Sequence, residues 1–156
     1  MRNLKNQAKK AIWQSILESW SEILMAYRIK FPSEKMKIDF LADTNFLIYI
    51  HEGNKIAEPF LEYNFAISFI SEIELLGFPG ISKSEETKLK LLLNDCYQLE
   101  WSSKLKNQTI QLKQKYSLKL PDAIICATAV EFNLPLVTAD KGFSKISELD
   151  LILIQL

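Results

Sequence analysis

Apolar positions fall into two regimes along the chain, and the change comes near "FPSEKMKIDF". Upstream, Ile12, Trp13, Ile16, Leu17, Trp20, Ile23, Leu24 and Tyr27 recur at three- and four-residue steps, the stripe of an amphipathic helix. Pro32 follows and ends it. Downstream, short β-prone runs alternate with helical ones. The pattern predicts strands over 38–42, 65–70, 96–100, 135–138 and 151–155. Helices are predicted over 45–51, 55–62, 72–76, 84–94, 103–115 and 122–132. Neither internal repeats nor low-complexity stretches interrupt the series.

Strands alternating with helices imply βαβ units, a largely parallel sheet and right-handed crossovers. In such units each helix begins at the edge where the preceding strand ends. Strand C-termini and helix N-termini therefore share one rim, and ligand sites in open parallel sheets lie there.

Four carboxylates map to that rim. Asp43 in "LADTN" ends the first strand, and Glu74 in "SEIELLG" is placed in the first turn of the helix after the second. Asp122 in "LPDA" opens its helix, because Pro121 suits the first helical position. Asp140 in "VTAD" follows the fourth strand. Singly, each has an ordinary role. Asp43 could cap a helix, Ser71 and Glu74 have capping-box spacing, and Asp122 and Asp140 could answer helix dipoles. Taken together, acids crowded on one rim repel and raise each other's pKa unless a cation neutralises them. Oxygen-only donors suit Mg²⁺ or Mn²⁺. With no Gly-rich phosphate loop and no catalytic Cys or His evident, the rim points to metal-assisted phosphodiester hydrolysis.

Composition narrows the surroundings. The 19 basic and 19 acidic residues cancel, so a polyanion must be met by a local patch. Lys104, Lys106, Lys113, Lys115, Lys119 and Lys141 are the candidates, with solvated helix faces as the alternative. Cys96 and Cys126 sit in apolar runs and read as reduced core thiols. The lone His51 reads as a helix-end residue, and "GFPGIS" as a helix stop and turn rather than a P-loop. No apolar run is long enough for a membrane span and no signal-peptide core is seen, so the expected setting is cytoplasmic.

The segments "FLADTNFLIYI", "AISFISEIELLGFPGIS" and "YSLKLPDAIICATAVEFNLPLVTADKGFSKI" resemble, in order and spacing, the PIN-domain ribonucleases, above all the VapC-type toxins of toxin–antitoxin pairs. The resemblance covers about residues 38 to 155. It implies a three-layer α/β/α sandwich, usually dimeric. It also implies metal-dependent endoribonuclease activity on RNA and restraint by an antitoxin partner. Asp43, Glu74, Asp122 and Asp140 match the family's metal and catalytic acids. Asn45 matches a supporting position near the acids, with a helix-start role as the alternative, and Thr138, two residues before Asp140, is a supporting position expected to hydrogen-bond the acidic cluster. Glu72 neighbours Glu74, but successive helix positions face differently, and the register selects Glu74. The departure is the N-terminal helix. The family usually begins near Met36, so residues 1–35 are read as a docking or antitoxin-like extension and 36–156 as the PIN domain. The competing function is a catalytically silent PIN-like module that binds RNA or protein. The four retained acids weigh against it. A receiver-like phosphorylated domain requires a different acid pair and a lysine after a late strand.

Overall fold

The computed structural model describes residues 37–155. The expected N-terminal helix, and the boundary at Met36, lie outside them.

Five parallel strands form one sheet: β1 (Phe40–Ala42), β2 (Phe65–Ser68), β3 (Tyr97–Leu99), β4 (Leu136–Thr138) and β5 (Leu151–Leu153). Their order is β3-β2-β1-β4-β5. The helices are α1 (Thr44–His51), α2 (Phe69–Leu76), α3 (Lys83–Asn94), α4 (Ser103–Tyr116) and α5 (Leu120–Phe132). This is the expected α/β sandwich around a parallel sheet. The chain winds outward from β1 through β2 to β3, then returns to lay β4 on the other side of β1. The gap between β1 and β4 is thus the topological switch point, where open parallel sheets open a crevice.

The strands are apolar on both faces because both faces are covered. Leu41 pairs in register with Ala66 and with Leu136, and all three are buried in one core with Leu105 and Leu112 of α4 and Ile125 of α5. One residue on, Ala42 pairs with Val137, and both belong to the opposite core with Phe46 and Leu47 of α1 and Leu89 and Leu93 of α3. Side chains alternate across a strand, so each strand contributes to both cores.

Most element ends shift by a residue or two, and three elements depart further from the sequence reading. The run 65–70 leaves the sheet at Ser68, and α2 starts at Phe69. Ser68 pairs with Leu99, the last residue of β3, so a longer β2 would find no ladder partner on that side. Phe69 and Ile70 pack against the α4–α5 core instead. Residues expected to be helical over 55–62 form a 3-10 helix, Lys55–Phe60, with Pro59 inside it. Proline lacks the N–H that an α-helical turn there would use. A second 3-10 helix, Lys141–Lys145, follows β4 where no element was expected.

Gly77 ends α2, donating its N–H to the Ile73 carbonyl, and Gly80 has φ 83°, the left-handed region that favours glycine. The stop-and-turn reading of "GFPGIS" matches this. His51 closes α1 and meets Glu85 of α3 at 2.8 Å. Cys126 is buried in α5, and burial, then the negative charges of Asp122 and Asp43, push its thiol up to about 12. Such a thiol stays protonated and unreactive.

Candidate metal centre

Asp43 is the first residue past β1, at the N-cap of α1, yet its side chain makes no capping hydrogen bond. The carboxylate turns to the neighbouring strand. Thr138 Oγ1, at the end of β4, donates to Asp43 Oδ2 at 2.7 Å, and the Asp43 N–H donates to the Val137 carbonyl at 3.1 Å. Thr138 is fully buried and its oxygen also accepts from the Asp140 N–H at 3.0 Å. One hydroxyl thus ties the carboxylate after β1 to the backbone after β4, across the switch point. The sequence leads us to expect a hydrogen bond from Thr138 to the acidic cluster, and Asp43 is the carboxylate that receives it. The shared hydroxyl depends on the β1–β4 register, which the local pattern does not show.

Asp43 is buried, with 3% of its surface exposed. Burial raises its carboxyl from an ordinary 3.8 to about 6. The Thr138 hydrogen bond pulls the other way, and the charges of Asp140 and Asp122 add to the rise. Asp122, in the first turn of α5 as expected, is raised by burial and then by Asp140, against the opposing charge of Lys119. The Asp140 charge therefore raises both Asp43 and Asp122, and the Asp122 charge raises Asp43, across three chain segments. Asp140 itself is exposed, and its Oδ1 accepts from the Gly142 N–H at 2.7 Å, capping the 3-10 helix.

Glu74 is held differently. It lies in the second turn of α2, not the first, because the helix starts at Phe69; Glu72 takes the first-turn place. For the same reason the alternative capping-box role of Ser71 and Glu74 does not arise, and Ser68 holds the N-cap. Thr44 Oγ1, next to Asp43, donates to Glu74 Oε2 at 2.8 Å. Glu72 points elsewhere, accepting a hydrogen bond from the Gln98 side chain on the β3 side. The two glutamates thus face different neighbours, as nearby helix positions do. Asn45 is exposed in the first turn of α1.

Among the described residues, no three His, Cys, Asp or Glu side chains form a ready-made cage for an ion. Asp43 leans on Thr138 and Asp140 on Gly142, as like charges do when each finds a local donor. The donor set still suits a hard divalent cation. It offers carboxylate oxygens only, and two of its members are pushed toward the neutral form partly by the others' charge.

The model of the PIN-domain family matches residues 40–149. This chain belongs to the PIN-domain family. Its fold is shared with a chain of a toxin–antitoxin complex from Klebsiella pneumoniae, at 32% identity and a TM-score of 0.64, covering 73% of this chain and 96% of that one. It is also shared with a chain of VapBC2 from Rickettsia felis, solved bound to a DNA fragment from the promoter. There the identity is 22% and the TM-score 0.67, over 74% of this chain and 98% of that one. VapBC-1 from nontypeable Haemophilus influenzae gives 22% identity and a TM-score of 0.64, over 73% and 96%. A search of curated proteins returned no match. Among the described residues of this PIN domain, no helix is long and apolar enough to cross a membrane.

Proposed function

We propose that this PIN domain is the toxin of a toxin–antitoxin pair, an endoribonuclease that hydrolyses RNA phosphodiester bonds with Mg²⁺ or Mn²⁺. The observation that carries the reading is the shared field of Asp43, Asp122 and Asp140 at the switch point of the sheet. In this reading Asp43, Asp122 and Asp140 hold the ion, and Glu74 completes the set from α2. A divalent ion bound there supplies an activated water and stabilises the attacking and leaving oxygens of the phosphodiester.

The chain's own residues do the positioning. Thr138 fixes one oxygen of Asp43, so that carboxylate keeps a single orientation. Burial of Asp43 excludes water from one side of the site, which strengthens its pull on a cation. Lys119 and Lys141 adjoin the acids, Lys119 at the N-cap of α5 and Lys141 directly after Asp140, and both are exposed to meet RNA phosphates. Two other candidate lysines are engaged elsewhere: Lys104 pairs with Glu131 at 2.9 Å and Lys115 with Glu148 at 2.8 Å. The likeness to the Klebsiella complex supports an antitoxin partner, and the family's habit supports a homodimer.

The test is a melting curve with and without Mn²⁺, run beside an RNA cleavage assay with and without chelator. The reading expects Mn²⁺ to raise the melting temperature and cleavage to stop on chelation. Stabilisation by RNA with no cleavage under any divalent ion would instead make the domain a silent binding module.

A further inference from the structure

Two hydroxyls and one carboxylate meet where α1 and α2 begin. Thr44 Oγ1 lies 3.1 Å from Ser71 Oγ and 2.8 Å from Glu74 Oε2. Thr44 has one hydroxyl proton, and a carboxylate can only accept. Glu74 is the shorter and charge-assisted partner, so Thr44 gives its proton to Glu74. Ser71, fully buried on α2, must then donate its own proton to the Thr44 oxygen. The order is Ser71 to Thr44 to Glu74, each bond polarising the next. It joins residues 27 and 30 positions apart in sequence, and it places the α2 acid one residue from Asp43.

We infer that Thr44 is a positioning residue that sets Glu74 against the aspartates, with Ser71 fixing the direction of its hydroxyl. This rests on the metal-dependent nuclease reading above and deepens it. Thr44 needs no contact with ion or RNA to matter. Glutamate has three side-chain torsions, and without an anchor its carboxylate samples orientations that the site cannot use. The same hydroxyl is the acceptor for Ser71, so valine at position 44 removes the anchor and strands a buried serine proton.

The full-length protein, freed of metal, is titrated with Mn²⁺ alone and the bound ion read by its magnetic-resonance signal. Thr44→Val should weaken Mn²⁺ binding roughly 10- to 100-fold, as loss of a residue that orients a ligand does. Thr44→Ser, which keeps the hydroxyl, should stay within about twofold, and Ser71→Ala should fall between them. If Thr44 works through Glu74, the double variant Thr44→Val/Glu74→Gln binds no more weakly than Glu74→Gln alone. Melting curves without metal separate a folding defect from a positioning one, and Thr44→Ser guards against the valine variant failing to fold. Equal binding by wild type and Thr44→Val, or a Thr44→Val loss that persists undiminished in the Glu74→Gln background, overturns the inference. A wild-type chain that binds no Mn²⁺ overturns the nuclease reading, and the inference with it.

Discussion

At the residue scale Asp43 is the most informative position. Its carboxyl sits at about 6 in the folded protein against 3.8 ordinarily, so between those values the folded chain holds more protons than the unfolded one. Without metal, its contribution to stability is fully present below about pH 4 and is lost as pH rises through about 6. The total is at most about 3 kcal/mol at 1.36 kcal/mol per unit. A metal-free series of urea denaturations from pH 4 to 8 should show that decline, and Asp43→Asn should flatten it and raise the melting temperature at pH 7.5. An aspartate-to-asparagine variant that melts lower in chelator would contradict the cost of holding that charge buried beside Asp140 and Asp122. The identities of the aspartates were legible because short β-prone runs show where strands stop, and "LADTN", "LPDA" and "VTAD" each fall at a junction. Which carboxylate each hydroxyl fixes was less so. Thr138 reaches Asp43 across 95 residues, and only the paired register of β1 and β4 brings them together.

At the scale of the element, α2 shows where local pattern misleads. Phe69 and Ile70 are β-prone and continue the apolar run of β2, so the sequence alone extends the strand through them. Burial against the α4–α5 core and the end of the β3 ladder at Leu99 decide otherwise. The result moves Glu74 one turn along its helix and dissolves the capping box. The C-terminal end was better marked. A Cβ on Gly77 would lie 2.4 Å from the Ile73 carbonyl oxygen, a backbone atom that cannot swing aside, so Gly77→Ala should cost about 1–3 kcal/mol. Equilibrium unfolding in urea checks this; a loss below a few tenths of a kcal/mol would mean that the turn after α2 gives way freely. Lysine roles were illegible for a related reason. Lys104 and Lys115 find Glu131 and Glu148 only once α4 has packed on α5 and beside the loop before β5.

At the scale of the whole molecule, the alternation of strand and helix is enough to predict the parallel sheet and its rim. The strand order is not legible from periodicity, since a switch point appears only when β4 returns beside β1. That return is what brings Asp140 toward Asp43, so that its charge, with that of Asp122, bears on the Asp43 carboxyl. Asp122 offers the most direct test of that arrangement, because it is only partly buried and takes no part in the Thr138–Asp43 bond. Its replacement by asparagine should leave the fold intact. The measurement is the single-turnover rate of RNA cleavage in saturating Mn²⁺ by wild type and Asp122→Asn. Removing a ligand should cost at least as much as removing a residue that merely orients one, about 100-fold or more at the upper end of that range. A folded Asp122→Asn protein that cleaves RNA at the wild-type rate would contradict the account.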